Sequence, residues 1–150
     1  KKGFPQPLTV RQVLTYLSTT KVFQAKVWGL GVSLVQRNFQ LNKIPTDILE
    51  EIKKYCKQFS NSEACGIIYE TFQELRFLAC ENCSPDTRYN FSIDPRILID
   101  YNVQYIVHSH TICSAQPSIN DMKNSDESCI PYLIYSLRDD DFYLYENVGV

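Results

Sequence analysis

Within one short stretch the chain gathers the side chains best suited to hold a metal ion: His108-Ser109-His110, then seven residues, then Ser118-Ile119-Asn120-Asp121. These are the only two histidines among the 150 residues. They follow an apolar run, Val103, Tyr105, Ile106 and Val107, that reads as a buried strand. On a strand, residues i and i+2 point to the same face, so two imidazoles at this spacing can reach one ion. Ser118 and Asp121 are three apart after Pro117 and share a face at the start of an expected helix. Two nitrogens, a carboxylate and a hydroxyl can therefore converge. Zinc held by three protein ligands keeps its fourth position open for water, the catalytic arrangement. Each piece alone has a plainer explanation: a histidine near a strand end is usually satisfied locally, and S-x-x-D is usually a helix cap. Their coincidence favours the metal.

Such a site needs a base to move a proton from water to a leaving nitrogen, a task for a partly desolvated carboxylate. Glu63 fits, because apolar Ala64, Cys65, Ile67 and Ile68 follow it. Spacing alone leaves it equally able to cap the preceding helix or face solvent. Asp94, Asp100 and Asp126 fall on expected helices and read as caps or solvated faces.

The remaining chain must position these groups. Pro45 to Phe59 reads as a helix with Ile48, Leu49, Ile52, Tyr55, Cys56 and Phe59 on one face. Glu63 to Tyr69 and Gln73 to Cys80 read as antiparallel strands joined at Glu70 to Phe72, a turn that lacks glycine. Phe91 to Ile93 reads as a short strand, and Asp94-Pro95 opens a helix to about Tyr101. The 103–109 strand, a helix from Ser118 to about Glu127, and strands at 131–137 and 142–146 complete the order. The expectation is an α/β sandwich: a mixed central β-sheet flanked by helices, with 45–59 on one side and 118–127 beside the metal. Residues 1–43 differ in texture. They hold an expected helix over 9–17 and an ambiguous stretch around Trp28, and read as an N-terminal extension or partner-docking arm before a 44–150 domain.

Composition narrows the function classes. With 44% hydrophobic and 21% charged residues the chain is globular. Fifteen Lys+Arg against seventeen Asp+Glu leave no basic excess for nucleic acid. No apolar run approaches the ~20 residues of a membrane span. The chain begins with Lys1, so it reads as a fragment or processed product, without an evident signal peptide. Six cysteines in this length and context read as reduced thiols of an intracellular protein rather than a secreted disulfide scaffold. Cys80-x-x-Cys83 has no second C-x-x-C to complete a zinc knuckle. A deaminase needs H-x-E upstream of P-C-x-x-C, and here the histidines come after. Cys113 is expected near the site but facing away from it.

Glu63 near a strand start, His108-Ser109-His110, seven residues, and Ser118-x-x-Asp121 resemble the JAMM motif of the MPN metalloproteases. The stretch S-E-A-C-G-I-I looks like that family's first core strand and Y-N-F-S-I-D-P like its middle, so the resemblance covers roughly residues 44 to 146. Within the family it looks most like the MPN domain of lambda-type phage tail-tip assembly proteins, which carry similar E-S-C-G and H-S-H motifs and a Pro after a similar helix. The resemblance implies the MPN sandwich, which is cytidine-deaminase-like. It implies zinc bound by His108, His110 and Asp121, Glu63 as general base and acid, and Ser118 as oxyanion donor. The implied reaction is hydrolysis of a peptide or isopeptide bond. The implied partners are a peptide or isopeptide-linked protein substrate and other tail-tip proteins reached through residues 1–43. The implied location is the virion tail tip or host cytoplasm. Thr111 stands where the family usually has Pro, which puts the loop after His110 in question. A catalytically silent MPN scaffold in a tail or other large assembly is the competing expectation. Related tail proteins often continue into a cell-wall peptidase domain of the NlpC/P60 type. No histidine follows His110 here, so that domain is not expected in this chain.

Overall fold

The structure, a computed structural model, describes residues 41–147. The 1–43 extension, with its expected helix and Trp28, lies outside the described residues apart from 41–43. The described elements, in chain order, are α1 (Thr46–Cys56), β1 (Cys65–Thr71), β2 (Glu74–Cys80), α2 (Pro95–Asp100), β3 (Val103–His110), α3 (Ile119–Ser128), β4 (Tyr132–Ser136) and β5 (Asp141–Tyr145).

The five strands form one sheet in the order β2-β1-β3-β4-β5. β3 and β4 run parallel and every other pair is antiparallel, so the sheet is mixed. The parallel pair needs a crossover, and α3 supplies it. β3 is the central strand. Its last five residues, Ile106 to His110, are buried, as is all of β4.

Alternation along the strands divides the sheet into two faces. Ile68, Val107, Leu133 and Tyr135 pack against α1 through Ile48, Ile52 and Cys56. Those three residues are spaced four apart, which stacks them on one side of the helix. Ile52, Ile68, Val107 and Leu133 are fully buried, and each such side chain stabilises the fold by about 1.5–3 kcal/mol. The opposite face carries Cys65, Ile67, Ile106, Ile134 and Tyr132, covered by Phe91, Ile93 and Leu98. His108 and His110 belong to this second face, because Cys65 is the cross-strand partner of His108. The α1 helix therefore lies on the far side of the sheet from the histidines. A side chain at Gly66 would meet the Leu78 carbonyl at 2.5 Å and the Phe77 ring at 2.6 Å. Only glycine lets β2 fold so closely over β1 there.

Several expected boundaries move. The first helix stops at Cys56, short of Phe59, and Pro45 is its N-cap residue instead of lying inside the first turn. Phe59 still packs against the α1 core, from the segment after the helix. The β1–β2 link is not Glu70 to Phe72. β1 continues to Thr71, and Phe72 and Gln73 make a two-residue turn with φ 48° and 65°. Both positions take the left-handed conformation that glycine or asparagine normally fills. The expected strand at Phe91 to Ile93 is absent. That segment has no ladder partner. It is held by Cys83 N–H donating to Ser92 O (2.8 Å) and Ser92 N–H donating to Asn82 Oδ1 (3.1 Å).

Candidate metal centre

β3 presents His108 and His110 on one face, and α3 brings Asp121 to meet them. Ser118 is the N-cap of α3. Its Oγ accepts from Asp121 N–H (3.0 Å), and Asp121 Oδ2 accepts from Ser118 N–H (2.8 Å). This reciprocal capping box fixes the Asp121 side chain at the positive end of the helix. The capping reading of S-x-x-D and the ligand reading are thus realised by the same residues.

His108 Nε2 lies 3.2 Å from His110 Nε2 and 3.2 Å from Asp121 Oδ1. His110 Nε2 lies 3.3 Å from Asp121 Oδ2. Bonds of ~2.0–2.1 Å to a tetrahedral zinc put neighbouring donors about 3.3 Å apart; the two imidazole nitrogens meet that spacing, and each has a different Asp121 oxygen at a similar distance. The tautomers fit as well. His110 Nδ1–H donates to the Ser114 carbonyl (2.8 Å), which leaves its Nε2 lone pair facing His108 and Asp121. His108 has no such support. Its Nδ1 is the one fully enclosed side-chain N or O atom among the described residues without a hydrogen-bond partner. The ring is held instead by Phe91, stacked at 4.3 Å and 19°, and by the edge of Tyr132 at 5.7 Å.

Charge follows this geometry. Burial opposes ionisation of Asp121, but the adjoining imidazoles of His108 and His110, with Ser118 N–H, hold its carboxyl far below the usual carboxylate range. Burial lowers the pKa of fully enclosed His108 against the pull of Asp121, so its neutral, metal-binding form is favoured. Burial also opposes protonation of His110, but Asp121, the Ser114 carbonyl and Glu63 outweigh it and raise its pKa. Two histidines and one carboxylate, all buried, are the donor set present.

Glu63 reaches this centre through the β1–β3 ladder. Cys65 pairs with His108. One rung on, Ser109 N–H donates to Ala64 O (2.9 Å), and Ala64 N–H donates to Ser109 Oγ (2.9 Å). The next rung of the same register brings Glu63 alongside His110. Glu63 itself leaves the ladder, its N–H donating to Thr87 O (2.7 Å) while its carbonyl accepts from Asn82 Nδ2 (2.9 Å). Burial pushes its carboxyl up to about 7, with His110 pulling it down and Asp121 pushing it up.

Glu63, His110, Ser118 and Asp121 open onto one cleft of about 170 Å³. Ser118 is exposed at its edge. Its Oγ is an acceptor in the capping box, so its O–H remains to be donated. Thr111 also borders the cleft. The loop after His110 is pinned by the His110–Ser114 bond and by Ser136 Oγ–H donating to Cys113 O (2.7 Å), without a proline at 111. Cys113 does not face away as expected: it borders the cleft, and its thiol is pushed up by burial and by Glu63. That keeps it protonated and a poor metal ligand. Cys80 is buried beside Cys65, the cross-strand partner of His108, at the open end of the β1–β2 hairpin, and Cys83 is exposed; all six cysteines are free thiols. Arg88, Phe91 and Asn124 also line the cleft, and the sequence reading did not single them out. Asn124 could have been found, because it lies three residues after Asp121 on the same helix. Arg88 and Phe91 lie in an irregular segment with no periodicity to expose them.

No family model matches the chain. Tail tip assembly protein K of Escherichia phage N15 is 30% identical over 86 residues, 53% of this chain and 34% of that protein. The chain therefore spans about a third of that relative. Among solved structures, that of protein DSY2949 from Desulfitobacterium hafniense matches with a TM-score of 0.53 and 23% identity, over 69% of this chain and 83% of that one. A protein from Salinibacter ruber matches at a TM-score of 0.44 and 15% identity, over 69% and 79%. The chain thus shares the fold of the Desulfitobacterium protein, and its sequence similarity reaches a phage tail-tip assembly protein.

Proposed function

We propose that this chain is a zinc-dependent peptidase or isopeptidase of the JAMM type, serving as a component of a phage tail tip. The observation that carries the reading is the convergence of His108 Nε2, His110 Nε2 and the Asp121 carboxylate at 3.2–3.3 Å, beside the cleft that His110, Asp121 and Glu63 line. His108, His110 and Asp121 would hold zinc. When bound, zinc supplies the Lewis acidity that makes water a nucleophile near neutral pH. Glu63, poised near neutrality by burial, takes the proton of the attacking water and returns it to the leaving nitrogen. The Ser118 hydroxyl, its oxygen fixed by Asp121 N–H, donates its proton toward the oxygen that gains charge.

The tail-tip assignment rests on the similarity to the phage N15 protein, and other tail proteins are the partners it suggests. The same similarity supports placement at the virion tail tip. No described helix is long and apolar enough to cross a membrane. A catalytically silent scaffold is the second reading, favoured by one observation: the capping box accounts for Ser118 and part of Asp121 without any chemistry. Elemental analysis with hydrolysis assays separates the two. The peptidase reading expects one zinc per chain and chelator-sensitive cleavage of isopeptide-linked or phage-derived peptides. One zinc per chain without cleavage would leave the scaffold.

A further inference from the structure

Beside the metal cleft lies a second hollow of about 180 Å³. Phe91 and Asn124 border both. Its floor is Ile106, two residues before His108 on β3 and so on the same face, roughly 7 Å along the strand. Ile93, Pro95 and Leu98 wall it on one side and Tyr132 on another. Among the described residues, Glu127 is the one ionisable acid or base at its lip besides the Tyr132 phenol, and Glu127 is within 4.0 Å of Lys123. No cation among the described lining residues faces inward to hold an anionic group.

We infer that this hollow is a specificity subsite, resting on the peptidase reading: it takes one branched or aromatic apolar side chain of a polypeptide whose scissile bond lies in the adjoining cleft. An extended chain crossing the cleft past Phe91 brings a side chain to the hollow within a few residues of the reacting bond, because successive residues advance ~3.3 Å. The substrate class is therefore an extended segment bearing a leucine-like or phenylalanine-like residue. Alanine-only and acidic segments are poor ligands.

The test uses the full chain with Glu63→Gln, so that binding is read without turnover. Its ligands are fluorescein-labelled alanine hexapeptides carrying a single Leu, a single Asp or neither, followed by fluorescence anisotropy. The Leu peptide should bind at least ~10-fold more tightly than the other two, the usual worth of filling an apolar pocket. Ser92 is exposed at the lip and holds its neighbours through backbone groups. Adding Ser92→Trp should erase the preference while zinc content is unchanged. Leu98→Ala, which enlarges the hollow, should weaken binding of the Leu peptide and strengthen that of a fourth peptide carrying a single Trp. Equal affinities for the three peptides, or a Leu preference that survives Ser92→Trp and ignores Leu98→Ala, would overturn the subsite. Selective binding by a zinc-loaded wild-type chain that cuts nothing would instead refute the peptidase reading and keep the hollow. Cleavage without side-chain preference would do the reverse.

Discussion

Ala64 and Ser109 are joined by two hydrogen bonds of 2.9 Å, one to a backbone carbonyl and one to a hydroxyl. The second replaces an ordinary ladder bond, because Ala64 N–H is received by the Ser109 side chain. Ser109 is fully buried. The middle residue of His-Ser-His thus ties β1 to β3 next to Glu63, while its neighbours face the site.

Ser109→Ala should therefore cost about 1–3 kcal/mol, because it strands a buried N–H. Ser109→Thr keeps the oxygen and should cost less. Urea unfolding of the two variants checks this. Equal stability of Ser109→Ala and the wild type would show that Ala64 N–H finds another acceptor.

His108 is oriented by stacking, whereas His110 is oriented by a carbonyl. Removing what holds a ligand typically weakens metal binding 10–100-fold. Phe91→Ala should lower zinc affinity by about that factor in a chelator competition, and Phe91→Tyr should restore most of it. If Phe91→Ala binds zinc as tightly as the wild type, the stacked ring does not position the ligand.

The Ile52 side chain is wholly enclosed on the sheet face opposite the site. Ile52→Ala should destabilise the fold by about 2–5 kcal/mol. The folded fraction should bind zinc normally. A loss of zinc binding from a folded variant would mean that the two faces are coupled.

The pKa of Glu63 gives a pH signature in the metal-free protein. Its folded value of about 7 lies above the ordinary glutamate value of 4.5, so the folded state binds the proton more strongly than the unfolded state. The resulting stability is complete below about 4.5 and is lost as pH rises through about 7. Wild type minus Glu63→Gln, followed by denaturant unfolding across this range, should fall with rising pH and then flatten. A flat difference throughout would mean that the carboxylate is solvated.

The legible parts of the sequence were those with a period. Two histidines separated by one residue share a strand face whatever the partners of that strand. Ile48, Ile52 and Cys56 share a helix face, and Ser118-x-x-Asp121 is a local cap. Glu63 was harder, because only the β1–β3 register brings it to residues 45 positions away. The Phe72-Gln73 turn was hidden by the absence of glycine. The missing strand at Phe91 to Ile93 has strand-like composition but no neighbour to pair with, and pairing is not written in a local pattern.

The central claim joins two functions in one cleft: three residues bind zinc, and Glu63 moves the proton. The most direct measurement is peptide hydrolysis by zinc-loaded wild type and Glu63→Gln, with the zinc content of each determined in the same samples. The account predicts one zinc in both proteins and a rate reduced by ~10²–10⁴-fold in Glu63→Gln. Equal rates at equal zinc content would contradict it.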